Sequence, residues 1–279
     1  IITKLINNTK FKIDKGDHLL DTHTHILWNI DDGSKNQCMS LQMLEIAARS
    51  GTKAIFATPH VIERANKPSW EEIKEKTQQL RQLCAEAQID IMLYPGAEVQ
   101  MNWELLPELG ATGAYCLNGG RYLLIELPAA EIPAYADEFW YELELKGITP
   151  ILAHPERYQQ LRENPDLLLL WRRRGMLMQC NSGSFTGMFG SSVCENAKVL
   201  LANGLVDLLG SDGHRSEGRN TDMSRAAAVI RQLAGEEVLR QLTETNPQAI
   251  LKNQEIELKQ PKVLLEDKPK SFWQKLFGK

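Results

Sequence analysis

Short runs of apolar residues, each closing on a polar side chain, recur seven times along the chain and alternate with longer segments of helical periodicity. The runs are HLLDTHTH (18–25), KAIFATPH (53–60), IDIMLYPGAE (89–98), YLLIELP (122–128), ITPILAHPER (148–157), MLMQCNSG (176–183) and LVDLLGSDGH (205–214). Apolar runs of this length, bounded by turn signals, fit strands buried on both faces, and the 3.6-residue periodicity between them fits helices that cover those faces. The helix ends are legible too. Ser69 followed by Glu72 reads as a capping box, and Gly51, Gly147, Gly175 and Gly204 stand just past helix termini. Alternating strand and helix predicts an α/β fold of parallel strands with helices packed outside, either an open doubly wound sheet or a barrel.

The polar residues choose between the two. Nearly every predicted strand ends, at its C-terminal edge, in His, Glu, Asp or Asn. An open sheet concentrates its site in one crevice, whereas a barrel gathers catalytic groups from the ends of many strands onto one face. Seven contributing strands therefore predict a barrel, one strand short of the usual eight. The alternation divides the chain into an N-terminal extension (1–17), the barrel (18–252) and a Lys-rich, Pro-containing C-terminal tail (253–279).

Composition narrows the function classes. A 279-residue chain fits one large α/β domain, and its 43% hydrophobic residues supply a full core. A net charge of −4 offers no global basic field for nucleic acid, so any anion must be held locally. The five cysteines are odd in number and scattered without a C-x-x-C pair, which fits a reducing cytoplasm. No signal peptide is read, and LLLLW (167–171) runs at once into three arginines, so a soluble protein is expected. The chain begins at Ile1 rather than methionine, which leaves the true N-terminus open.

Candidate chemistry gathers on the strand ends. Side chains i and i+2 of a strand point the same way, so His23 and His25 present two imidazoles side by side. Alone, an H-x-H fits two packed core histidines equally well. But Asp212 and His214 repeat the spacing at the seventh strand, His60 ends the second, Glu98 the third, Glu126 the fourth and His154 the fifth. Burying these groups together without a metal would cost several kcal/mol in unpaired charges and lone pairs, which divalent ions would satisfy. His18, the sixth histidine, reads as structural or surface. One of Asp31 and Asp32, on the loop after the first strand, is expected to join the set.

The ordered motifs DTHTHILWNIDDG, ATPH, GAE, LIE, AHPER and SDGH resemble the polymerase and histidinol phosphatase superfamily. Over residues 19–251 the chain looks more closely like the bacterial manganese-dependent tyrosine-protein phosphatases of capsule and exopolysaccharide gene clusters. The resemblance implies a distorted seven-stranded barrel with three divalent metals, manganese first, with iron or zinc as alternatives. It implies His23, His25, Glu98 and Asp212 around one metal, Glu98 bridging to a second held by Glu126 and His154, and Asp32, His60 and His214 around a third. It also implies catalytic roles for Arg157 and Arg219, and a membrane-associated tyrosine kinase as the phosphotyrosine partner. Four carboxylates against three divalent ions leave +2, which draws a phosphate dianion and stabilises a bridging hydroxide for attack on phosphorus.

Several other readings are carried forward. The same metal-site type serves histidinol-phosphate or other small phosphoester phosphatases and nucleases, and a non-catalytic scaffold would retain the fold. Cys116-Leu-Asn-Gly-Gly-Arg121 approaches a cysteine-phosphatase signature but has four intervening residues and precedes a strand instead of following one. Phe185, Met188 and Phe189, in the loop SGSFTGMFG, are read as either an apolar wall for a phosphotyrosine ring or simple packing. The segment KPKSFWQKLFGK (268–279) is basic and amphipathic, a pattern for a membrane or partner surface or a disordered tail. The oligomeric state is left open.

Overall fold

The computed structural model describes residues 18–110, 113–259 and 261, so the extension at 1–17 and the basic segment at 268–279 lie outside the described residues. Among the described residues there are nine strand segments: β1 (Leu19–Thr24), β2 (Thr52–Ala57), β3 (His60–Val61), β4 (Met92–Pro95), β5 (Glu98–Gln100), β6 (Tyr122–Glu126), β7 (Thr149–Ala153), β8 (Leu177–Asn181) and β9 (Leu208–Gly210). The helices between and after them are α1 (Gln37–Arg49), α2 (Trp70–Glu86), α3 (Ala136–Leu145), α4 (Gln159–Glu163), α5 (Pro165–Arg173), α6 (Ser182–Phe185), α7 (Ser191–Ala202), α8 (Ser224–Ala234), α9 (Glu236–Arg240) and α10 (Asn246–Leu251).

All strand pairs are parallel, in one sheet ordered β1-β2-β4 and another ordered β3-β5-β6-β7-β8-β9. Each predicted run contains a strand, but the single seven-stranded sheet expected from the sequence is not what forms. Two runs are broken, at Thr58-Pro59 and at Gly96-Ala97, and their second halves, β3 and β5, pair in the other sheet. The physical reasons are local. Proline supplies no N–H to a ladder, and at Gly96 any side chain would stand 2.6 Å from Leu117 Cδ2. The result is a curled parallel sheet whose ends approach each other: Thr24 bridges to Gly213, and Asp212 N donates to His23 O at 2.7 Å.

The helices follow their sequence signals. Ser69 Oγ accepts from Glu72 N at 3.1 Å, and Trp70, Ile73, Thr77, Leu80 and Cys84 then give α2 one buried face at three- and four-residue spacing. Past α1 and α3 the chain turns through Gly51 and Gly147 at φ of +91° and +72°, a region costly for residues with a Cβ.

Apolar packing forms two layers. The larger lies between the helices and the sheets and includes Met43, Ile73, Phe139, Trp171 and Ile230. The smaller, with Phe56, Tyr122, Leu124, Ile151, Leu177 and Leu208, fills the concave side, since Tyr122 and Leu124 share the β6 face of Glu126. Residues 253–259 run beneath this inner layer. Tyr122 OH donates to Gln254 O at 2.6 Å, Ile256 and Leu258 pack against the layer, and Arg172 donates to Lys259 O. Arg172 is itself buried and pairs through two nitrogens with Asp207, whose Oδ2 also accepts from Met178 N.

Candidate metal centre

The C-terminal ends of the strands meet on one face and bring together all nine side chains that the sequence nominates. His23 and His25 leave the end of β1, with their Nε2 atoms 3.1 Å apart. Direct pairing of His60 with Glu98 across β3 and β5 sets the next two beside them, and His60 Nδ1 lies 3.2 Å from Glu98 Oε2 and 3.3 Å from Glu126 Oε1. From the end of β7, His154 Nε2 reaches Glu98 Oε1 at 2.9 Å. Beyond β9, Asp212 Oδ1 lies 3.5 Å from His23 Nε2 and 3.4 Å from His25 Nε2. Asp32 Oδ1 faces His214 Nε2 at 3.4 Å and His60 Nε2 at 3.7 Å. Three overlapping clusters of metal-ligand type result: His25, Asp32, His60 and His214; His23, His25 and Asp212; and His60, Glu98 and Glu126.

The two aspartates after β1 differ in role. Asp31 turns its Oδ2 onto His25 Nδ1 at 2.7 Å and His60 N at 2.9 Å, behind the imidazoles, while Asp32 points its carboxylate at two imidazole nitrogens from the front.

Hydrogen bonds behind the rings test whether a metal suits the set. His23 Nδ1 lies 2.9 Å from Gln179 Oε1, whose amide is oriented by donating to Cys180 O and Asn181 Oδ1. His25 Nδ1 faces the Asp31 carboxylate, and His214 Nδ1 faces the Asp212 carbonyl at 3.0 Å. Each Nδ1 thus carries a proton, and each Nε2 turns a lone pair into the cluster. Those lone pairs meet carboxylate oxygens, not donors, and the buried Glu98 Oε2, Asp212 Oδ1 and His60 Nδ1 have no hydrogen-bond partner. Converging lone pairs repel unless a cation lies between them, so the donor set fits divalent metal.

The charge balance agrees. Burial opposes ionisation of Glu98 and Asp212, yet positive charge on the adjoining rings, His23 foremost, holds both carboxyls well below the usual carboxylate range, a charge that a metal would supply in place of the second ring proton. Burial would likewise lower His23, but Glu98 and Asp212 reverse that and raise it. The site keeps its carboxylates negative and calls for positive charge among them. His154 and Asp212 also hold left-handed backbone, at φ of 37° and 53°, where the chain turns inward at the ends of β7 and β9.

Arg157 and Arg219 stand at the rim. Arg157 Nη1 donates to Asp212 Oδ2 at 3.2 Å, Arg219 Nη2 donates to the same oxygen, and Asn181 Nδ2 joins them at 2.6 Å. A cavity of about 550 Å³ opens over the cluster, lined by Asp32, His60, Glu98, Glu126 and His154, by both arginines at its edge, and by Leu127–Ala130, Tyr158 and Gln160. Of the two readings of the loop SGSFTGMFG, packing holds, since Phe185, Met188 and Phe189 do not line the cavity. Residues Ser182–Phe185 wind into α6, which buries Phe185 in the outer core, Met188 is exposed, and Phe189 packs against the arginines. Cys116 lies outside the cavity lining, and burial pushes its thiol up to about 12, so the cysteine-phosphatase signature has no nucleophile.

Sequence reasoning weighed Asp31 only as an alternative ligand to Asp32, and passed over Gln179 and Asn181. The signal was present: Gln179 and Asn181 are polar at i and i+2 on an otherwise apolar strand, the same spacing that exposed His23 and His25.

Comparison with known proteins places this arrangement. The family model for capsular polysaccharide synthesis, CpsB/CapC, matches residues 19–252. The chain is 34% identical over 238 residues to the tyrosine-protein phosphatase YwqE of Bacillus subtilis, covering 85% of this chain and 93% of that one. It is 28% identical over 241 residues to the tyrosine-protein phosphatase CpsB of Streptococcus pneumoniae, covering 85% and 99%. Among solved structures, one reported with YwqE and CpsB as metal-dependent tyrosine phosphatases superposes with a TM-score of 0.83 at 33% identity, over 89% of this chain and 100% of the other. A histidinol phosphate phosphatase from Lactococcus lactis shares the fold at a TM-score of 0.51 and 17% identity, covering 78% of this chain and 94% of the other. The chain, with its strand-end histidines and carboxylates gathered under two arginines, belongs to the CpsB/CapC family.

Proposed function

We infer that this protein is a metal-dependent protein-tyrosine phosphatase. The observation that carries the reading is the convergence of nine histidine and carboxylate ligand candidates, their lone pairs facing one another, directly beneath two arginines at the mouth of a single cavity. His23, His25, Asp32, His60, Glu98, Glu126, His154, Asp212 and His214 hold three divalent ions; an N/O set without thiolate suits manganese, iron or zinc, and the family resemblance puts manganese first. When bound, such ions supply Lewis-acid activation of water and charge neutralisation on the phosphoryl group.

The chain's own groups do the rest. Arg157 and Arg219 bind the nonbridging phosphate oxygens, each offering a planar fork of donors of which Asp212 occupies only part. Gln179 and Asp31 fix the proton on the outer nitrogen of His23 and His25. The phenyl ring of the substrate lies along Leu127–Ala130, where the cavity wall turns apolar. A phenolate of pKa about 10 leaves without demanding strong protonation.

The substrate is a phosphotyrosine protein, and the capsule-synthesis family of this chain supports a tyrosine kinase of polysaccharide export as its source. Five unpaired thiols spread through the fold support a reducing, cytoplasmic setting. The test is parallel turnover of a phosphotyrosine peptide, histidinol phosphate and single-stranded DNA by manganese-loaded protein. Preference for the peptide is expected. Preference for histidinol phosphate or DNA would move the chain to another phosphoesterase class, and inactivity on all three with metal bound would leave a scaffold.

A further inference from the structure

We propose that Phe189 is a positioning residue that holds both phosphate-binding arginines on one aromatic face; the proposal rests on the phosphatase reading. The Cζ atoms of Arg157 and Arg219 lie 4.8 Å and 5.6 Å from the centroid of the Phe189 ring. The two arginines come from different strand ends, after β7 and after β9, and they share one acceptor, Asp212 Oδ2. Asp212 ties them to the metal-ligand cluster, and Phe189 sets where they stand across it.

The chemistry of the contact explains why a ring suits this position. An aromatic face attracts a guanidinium through its quadrupole yet offers no lone pair. The N–H edges therefore stay available for phosphate oxygens, whereas a carboxylate here would take them. The face also lets a guanidinium turn in its plane, so the arginines can shift from Asp212 toward an incoming dianion without losing support.

The ring is itself held in place. A Cβ on Gly183 would stand 3.1 Å from Phe189 Cε2 and 2.9 Å from Met188 Sδ, so the loop closes directly over that glycine. Gly187 and Gly190, at φ of +83° and +94°, make the turns on either side. Phe189 does not line the cavity, which separates this role from contact with the substrate ring.

The experiment compares Phe189→Leu and Phe189→Tyr as manganese-loaded full chains. It measures metal content, inorganic phosphate affinity by calorimetry, and kcat and KM on a phosphotyrosine peptide. Phe189→Leu keeps apolar volume without a π face, and about tenfold weaker phosphate binding with at least as large a fall in kcat/KM is expected, at unchanged metal content. Phe189→Tyr keeps the face and should stay within about threefold of the parent. In an Arg157→Ala background the penalty of Phe189→Leu should shrink, because one of its two clients is gone. Parental phosphate affinity in Phe189→Leu, an undiminished penalty in that background, or loss of metal would each overturn the proposal. Should the parent bind phosphate yet fail to turn over the peptide, the phosphatase reading falls while the phosphate affinities still decide the role of Phe189.

Discussion

Arg157 Nη1 lies 3.2 Å from Asp212 Oδ2, and the other oxygen of that same carboxylate faces the Nε2 atoms of His23 and His25. One aspartate therefore joins the rim arginines to the candidate metal-ligand cluster. Removing the guanidinium as Arg157→Ala is expected to lower kcat by about 10² to 10³, the usual loss for a preorganised donor. Metal content should be unchanged, because Asp212 keeps Asn181 and Arg219 as partners. Arg157→Lys should recover little, since a point charge lacks the fork. Steady-state kinetics beside elemental analysis of the same sample checks both.

Chelation should abolish activity and lower the melting temperature, and added manganese should restore both. The stability loss follows because ions that bind only the folded state stabilise it by mass action, and their removal leaves Glu98 Oε2 and Asp212 Oδ1 facing imidazole lone pairs. Elemental analysis of fully active protein should find about three ions per chain, matching the three overlapping ligand groups. Full activity with a single tightly held ion would contradict it.

Asp31→Ala should weaken metal binding without altering any residue that faces the cavity. Asp31 accepts from the His25 ring at Nδ1 and from the His60 backbone N–H, and so fixes the His25 ring and the chain that carries His60 from behind. Loss of such an outer partner costs roughly 10- to 100-fold in metal affinity. Titration against a chelating dye measures it, and turnover at saturating manganese should return close to the parental value.

Thiol alkylation at pH 8 should leave turnover intact. Cys38 is the exposed cysteine, whereas Cys116 and Cys180 are buried and their thiols are held above the usual range by burial, with Glu156 adding to the effect at Cys180. A raised thiol pKa means less thiolate at that pH, hence slower alkylation. Mass spectrometry should find Cys38 modified first, in protein that is still active.

Asp207→Ala should destabilise the fold by about 3–5 kcal/mol, because it leaves the buried Arg172 guanidinium without its carboxylate. Urea unfolding measures the loss. Metal content of the folded protein should stay at the parental level, since the pair lies away from the ligand cluster.

Much of this site can be read from the sequence because strand geometry projects it there. Side chains at i and i+2 share a face, so His23 with His25 and Asp212 with His214 announce themselves by spacing, and the glycines past the helices announce the punctuation. Three features escape such reading. The pairing of β3 and β5 in the other sheet shows only once the strands are laid side by side, since spacing along the chain does not encode which sheet each half of a run joins. The separate tasks of Asp31 and Asp32 follow from which way two adjacent side chains point off a loop. Phe189, left open between a wall for a substrate ring and simple packing, packs against the arginines because α6 winds up immediately after β8 and keeps the loop out of the cavity lining.

The strap formed by residues 253–259 governs traffic as well as packing. With Tyr122 tied to Gln254, and with Ile256 and Leu258 packed against the inner layer, the concave side of the sheet is filled below the imidazoles. On the phosphatase reading, substrate and both products would share the cavity mouth beside Arg157 and Arg219, and phosphate lingering there would compete with the next substrate, so turnover is expected to slow as phosphate accumulates.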